Sequence, residues 1–217
     1  MGYRKAERGS VFFVILIGVA IFAALSYAVS QGFRVGGGTF DAVNHDKAEL
    51  EMSSVLDFMH AVQNGFQEMK LNGIDPTSIT FDRPTDVSYG IAPHTLKVFH
   101  PDGEGVIFIP VWSTLDDPSE ATATDWSFVR NTIEGVGGSG NEVIAALVRV
   151  PEKLCERINF GMVGDSTIPS ESGDMSDMFE TAVSPVDSIN CAACVGKSAL
   201  CVRNGNVRVF YFVLDRG

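Results

Sequence analysis

A chain of 217 residues with 16 Lys+Arg against 27 Asp+Glu carries a formal charge of −11. Arg4, Lys5, Glu7 and Arg8 precede Ser10, so residues 10–217 hold 13 basic and 26 acidic groups, a net of −13. Such a surface repels phosphate backbones, which excludes nucleic-acid binding by bulk charge, and the length suffices for one domain with its own core.

The first element is an oily run. From Val11 to Val29 no charge occurs, and only Gly18, Ser26 and Tyr27 interrupt it. Its 19 residues, at a helical rise of ~1.5 Å each, reach about 28 Å, close to the hydrocarbon thickness of a bilayer. A cleavable signal has a shorter apolar core of roughly 7–15 residues and a small-x-small end, which Ser30-Gln31-Gly32-Phe33-Arg34 lacks. No cysteine precedes Cys155, so a lipoprotein is excluded. The pattern predicts a retained single-pass helix over residues 10–32 behind a basic leader, residues 1–9. The positive-inside rule puts that leader in the cytoplasm and the rest of the chain across the membrane.

Arg8-Gly9-Ser10-Val11-Phe12-Phe13-Val14-Ile15-Leu16-Ile17 resembles the start of a type IV pilin-like or pseudopilin precursor. The resemblance implies cleavage of the Gly9–Ser10 bond by a prepilin peptidase. It further implies an assembly helix, including Val14, Ile17, Ile21 and Leu25, that rests in inner-membrane lipid until it packs among other pilin-like subunits. Most members carry Glu at the fifth mature position, where this chain has Val14, as some minor pseudopilins lack the acid. That departure implies a minor subunit. Two readings of other classes explain the same hydropathy. One is a single-pass protein whose ectodomain binds a ligand or partner without polymerising, and the other is an anchored periplasmic enzyme.

The exit, residues 33–40, contains Gly36-Gly37-Gly38, and each glycine costs a helix ~1 kcal/mol relative to alanine. Residues 41–217 then form the predicted extracytoplasmic domain. Ala48, Met52, Val55, Met59, Val62, Phe66 and Met69 recur at alternating steps of four and three, a helical stripe. Asp41 or Asn44 is expected to cap its start, and Asn72-Gly73 to stop it. The stripe predicts packing on the chain's own sheet, with Leu50, Leu56 and Phe58 off the main line and available to neighbouring subunits.

Past Gly73 the period becomes that of strands. Ser78–Phe81 is a short candidate, and Thr95–Phe99 with Gly105–Ile109 flank Pro101-Asp102-Gly103-Glu104 as a predicted hairpin. Trp126–Val129 is a further strand, Val143–Val150 a strand or helix start, and Pro151-Glu152-Lys153-Leu154 opens a short helix containing Cys155. Ala199–Arg203 and Val207–Leu214 around Asn204-Gly205-Asn206 read as a closing hairpin. The expected class is α+β: a long N-terminal helix, transmembrane then amphipathic, packed on an antiparallel sheet in the pilin-like manner.

Cys155, Cys191, Cys194 and Cys201 are an even set in the C-terminal third, and outside the cytoplasm oxidised pairs are the default. Three connectivities are open. The expected one joins Cys155, in a helix that must dock on the sheet, to Cys201 in the final hairpin, and leaves Cys191 with Cys194. Cys191-Ala-Ala-Cys194 also has redox or half-zinc spacing, but it precedes a hairpin instead of sitting in a βαβ unit, and a second Cys-x2-Cys is missing.

Other motifs fail. Gly196-Lys197-Ser198 lacks the earlier glycine of a phosphate loop, since that position is Cys191. The glycine-rich run from Gly135 to Gly140 lacks a dinucleotide context, and no Gly-x-Ser-x-Gly elbow occurs. His45, His60, His94 and His100 have no metal-ligand spacing. Glu171, Asp174, Asp177 and Glu180 offer oxygen ligands for Ca²⁺, yet a solvated acidic loop is the expectation. No catalytic residues, metal or cofactor are expected.

Overall fold

The central strand of the described fold is apolar at nearly every position, and that decides its surroundings. The computed structural model describes residue 15 and residues 39–111, 123–138 and 140–217, with the backbone alone for residues 39–48. The chain divides into two compact units, Met1–Lys47 and Ala48–Gly217, and the second contains all of the sheet. Its elements are a helix α1 (Thr39–Leu71, which begins in the first unit), strands β1 (Asp125–Asn131) and β2 (Glu142–Val148), helices α2 (Glu152–Val163) and α3 (Met175–Phe179), and strands β3 (Ala199–Asn204) and β4 (Val207–Asp215). The sheet is antiparallel throughout, in the order β1-β2-β4-β3. The class is therefore α+β.

Side chains alternate across β2 and β4, and both faces are covered. Val143, Ala145, Leu147, Phe210, Phe212 and Leu214 face one core, which includes Val55, Met59, Val62, Phe66 and Met69 of α1. The alternate residues, among them Ile144, Ala146, Val209 and Tyr211, face a second core with Met175, Met178, Phe179, Cys191 and Cys194. A strand buried on both faces reads as a continuous apolar run, so periodicity alone left Val143–Val150 open between strand and helix. Size matching fixes the register: Ala145 lies between Phe128 on β1 and Phe212 on β4.

The helical stripe packs on the chain's own sheet, and Phe58, expected off the line, is buried with it while Leu50 is exposed. The helix starts at Thr39, ahead of Asp41 and Asn44, so neither is its cap. Between Thr39 and Gly65 no glycine or proline interrupts it. Its end is a Schellman motif, with Ile74 N–H bonding Met69 O at 3.1 Å, Gly73 N–H bonding Lys70 O at 3.0 Å, and Gly73 at φ 85°. The closing hairpin turns at Gly205, whose φ of 58° suits the first central residue of a two-residue turn.

Two strand expectations are corrected. Ser78–Phe81 makes one parallel bridge, Thr80 to Lys97, and no strand. The expected hairpin of Thr95–Phe99 with Gly105–Ile109 is a 3₁₀ turn (His94–Leu96) and an irregular return, held by Val106 N–H to Val98 O at 3.0 Å and Glu104 N–H to Lys97 O at 3.3 Å. Val98 N–H, which a hairpin would pair with residue 106, donates instead to Thr80 O at 3.0 Å, so the segment keeps only scattered bonds to the return. Lys97 is buried, and its Nζ donates to the carbonyls of Ser88, Tyr89 and Ile91 and lies 3.3 Å from the Asp82 carboxylate. The segment still supplies Ile79, Val98 and Phe99 to the α1 core.

A bulge in β4 is repaired by α1. Val143 pairs with Asp215 and Ile144 with Val213, which leaves Leu214 as the extra residue. Gln63 Nε2 donates to Val213 O at 3.2 Å and Gln67 Nε2 to Leu214 O at 3.0 Å. Lys70 Nζ reaches Asp215 Oδ1 at 2.6 Å. Burial pushes the Asp215 carboxyl up, but the bonds from Lys70 and Gln67 outweigh it and hold the group below its ordinary range.

Phe66 is fully buried and stacks on Phe81 with centroids 5.9 Å apart. Phe66→Ala should remove ~3–5 kcal/mol of stability, read as a lower urea midpoint at an unchanged slope.

Burial raises the Glu104 carboxyl above its ordinary value, and the neighbouring Glu68 adds repulsion and a shared hydrogen bond. A carboxyl raised in the folded state contributes fully below its unfolded value and loses that contribution as pH rises through the folded one. Glu104→Gln should therefore raise the melting temperature at pH 7 and give little gain near pH 4; equal gains at both would contradict the assignment.

Candidate functional site

The chemistry-bearing groups of the second unit gather around β3 and the loop before it. Cys155 on α2 is bonded to Cys201 on β3, across a separation of 46 residues, and Cys191 to Cys194; none of the four is free. All four are buried. Pro151 and Glu152 start α2, Gly164 at φ 79° ends it, and Leu154 and Ile158 face the sheet beside the disulfide. Asn159, fully buried, completes the dock. Its Oδ1 accepts from Cys201 N–H at 2.8 Å, and its Nδ2 donates to Cys201 O at 2.8 Å and Thr167 O at 2.9 Å.

The small disulfide closes a 3₁₀ turn (Ala192–Cys194) whose free amides are held by Glu171, which accepts from Ala192 N–H at 2.8 Å and Ala193 N–H at 3.3 Å. Tyr211 lies beneath, stacked on Phe179 at 5.0 Å, and its hydroxyl donates to Lys197 O at 3.1 Å. Burial pushes its phenol well above the ordinary range, so it stays a neutral donor. The four sulfurs are oxidised and buried, and in this oxidation state they are not thiolate zinc ligands.

The acidic run is dispersed by the fold. Asp174 caps α3 by accepting from Ser176 N–H at 2.8 Å and Asp177 N–H at 3.2 Å. Glu180 takes a two-point bond from Arg149, at 2.9 and 3.3 Å. Burial raises the Glu180 carboxyl, but Arg149 outweighs it and the net position is below the usual value. With Glu171 on the cysteine turn, these carboxylates serve separate structural partners. Among the described residues no three His, Cys, Asp or Glu side chains come together.

Two local sites had no sequence signal. His94 and His100 stack in parallel with centroids 4.2 Å apart, and the Lys97 ammonium is enclosed by carbonyls. Five residues separate the histidines, and an irregular turn, which no period reports, brings them together. The glycine-rich stretch forms the β1–β2 loop. There Gly137, at φ 88°, has no room for a Cβ, which would lie 2.1 Å from Arg216 O. Glu142, buried at its foot, accepts from Ile133 N–H at 2.8 Å.

Gly9, Ser10, Val14, Ile17, Ile21 and Leu25 lie outside the described residues, as do the predicted leader, the 10–32 span apart from Ile15, and most of the exit. Among the described residues no helix is long and apolar enough to cross a membrane. No protein-family model, curated protein or solved structure matches the chain.

Alkylation of unreduced protein should label none of the four cysteines and find no bound zinc. A variant with Cys155→Ala and Cys201→Ala should lose about 4 kcal/mol, the loop-closure value for a loop of this size. Four labelled cysteines, or one zinc per chain, would overturn the scaffold role.

Proposed function

We propose that the chain is a membrane-anchored type IV pilin-like or pseudopilin subunit, of the minor kind, serving a filament or a secretion or pilus assembly. One observation carries this reading: a basic leader ending in Gly9, then Ser10 and an uncharged apolar run to Val29, ahead of an acidic domain. The α+β fold supports it, since the helix that follows the glycine exit lies along an antiparallel sheet. In this reading a prepilin peptidase cuts after Gly9, and the mature helix is kept in the inner membrane by apolar burial. On assembly, Val14, Ile17, Ile21 and Leu25 exchange lipid for other pilin-like subunits. The leader is cytoplasmic and the acidic domain periplasmic, or external in a filament.

Val14 makes the role a minor one. A carboxylate in hydrocarbon is costly and is retained where a partner needs it, whereas valine adds only favourable burial. The domain's part is structural: its buried disulfides and dispersed carboxylates hold a shape.

Mass spectrometry of membrane-extracted protein, from cells with an active prepilin peptidase, should find Ser10 as the mature N-terminus, and Gly9→Val should block processing. An intact Met1 or Gly2 terminus in those cells would sink the proposal in favour of an unprocessed anchor.

A further inference from the structure

A sheet has two edges, each presenting N–H and C=O groups that need partners or water. Here the β3 edge is closed. Asn159 occupies both backbone groups of Cys201, and Arg203 donates to Pro169 O at 2.9 Å and accepts from Glu171 N–H at 2.8 Å. The β1 edge is different. Trp126 N–H turns away from β2 to Asp125 Oδ1 at 2.8 Å, while past the strand Ile133 N–H turns the other way, to Glu142 on β2. On the outer side Thr132 O and Glu134 N–H meet Val186, each at 2.9 Å. The alternation of an antiparallel strand therefore directs the N–H and C=O groups of Phe128 and Arg130 outward as well. Among the described residues no backbone bond reaches Phe128 or Arg130 from that side.

A cleft of about 340 Å³ follows this edge, with Phe81 and Arg83 on one wall and Trp126, Phe128 and Arg130 on the other. Its two arginines differ. Arg83 is paired with Asp86 at 3.3 Å and Asp125 at 2.9 Å. Arg130 donates through Nη2 to neutral acceptors, Pro76 O at 2.8 Å and Ile79 O at 2.7 Å, and meets no carboxylate among the described residues. Burial costs its guanidinium some proton affinity, and nothing acidic offsets that. An uncompensated cation on a chain of net charge −11 is an unusual feature of this edge.

We propose that the outer edge of β1 is a docking strand for an extended acidic segment of a partner polypeptide. Its backbone would bond Phe128 and Arg130, and one of its carboxylates would meet the Arg130 guanidinium. Main-chain pairing supplies the affinity and the carboxylate the selectivity. The inference stands on the sheet geometry and holds whether or not the chain assembles into a filament.

The test is amide-resolved hydrogen exchange on the full chain in detergent micelles, with two capped heptapeptides as probes: Thr-Val-Glu-Val-Glu-Val-Thr and its counterpart with Lys for Glu. At millimolar concentration the Glu peptide should slow exchange at Phe128 and Arg130 at least tenfold. The Lys peptide should not, and Arg130→Gln should abolish the effect with β2 and β4 amides unchanged. If Arg130→Gln loses β2 protection, salt decides in the parent chain: slowing that disappears between 50 and 500 mM supports the carboxylate–guanidinium contact, and slowing that persists overturns it. Three further results would overturn the proposal. These are no slowing by the Glu peptide, equal slowing by both peptides, or protection without peptide that grows with protein concentration, which would assign the edge to a second copy.

Discussion

β2 and β4 lie side by side at the middle of the sheet, and neither has a polar face. Everything from Val143 to Val148 and from Arg208 to Leu214 is buried. At roughly 25 cal/mol per Å² of apolar surface, a bare face on either side would be prohibitive, so both must be covered. α1 covers one face with a stripe that needs only helical periodicity. The other face has no comparable helix and is covered by α3, the cysteine turn and loops. That asymmetry accounts for the second half of the chain: loops hold little structure alone and must be fastened. Asp174 capping α3, Glu180 on Arg149 and the Cys191–Cys194 bond are the fastenings.

Burying so much backbone also requires every displaced polar group to find a partner, and the polar side chains inside are placed to meet that need. Gln63 and Gln67 satisfy carbonyls at the β4 bulge, and Asn159 closes the β3 edge. Asn131, buried at the end of β1, donates to Met178 O at 2.9 Å and Ser184 O at 2.7 Å, which ties α3 to the sheet. Lys97 does the same on the α1 side. Glu171 works at two levels: its backbone bonds β3 and its carboxylate holds the cysteine turn. Against this satisfaction, the stretch of β1 at Phe128 and Arg130, unpaired on its outer side among the described residues, stands out.

A domain with this interior has limited freedom in how it could meet neighbours. The α1 stripe from Val55 to Met69 is spent on the intramolecular core, so α1 has only residues off that line, such as the exposed Leu50, to offer. A strongly acidic exterior repels copies of itself at long range, with a screening length of about 8 Å at physiological salt. Contacts between copies would then depend on short-range burial, which suits the apolar run from Val11 to Val29 better than the domain surface. The proposed minor role fits that division, with a domain free to present an edge to a different partner.

The sequence by itself determined the elements whose pattern is local. The 3.6-residue stripe of α1 follows from one-sided burial, and the closing hairpin with its Asn204-Gly205-Asn206 turn and Pro151 opening a helix follow from backbone sterics. The even cysteine set in the C-terminal third is likewise plain in the chain. Only the tertiary structure decided features that depend on distant partners. Whether Val143–Val150 was strand or helix rested on cover from both sides, which no period encodes. The hairpin expected around Pro101–Glu104 gave way because Val98 N–H is taken by Thr80, 18 positions earlier. Asn159 reads as one more polar helix residue until Cys201 lies beside it, 42 positions later. Among the described residues the β1 edge is unpaired at Phe128 and Arg130 for the same kind of reason: a strand's sequence states which faces it can bury, and the rest of the fold decides which of its edges finds a partner.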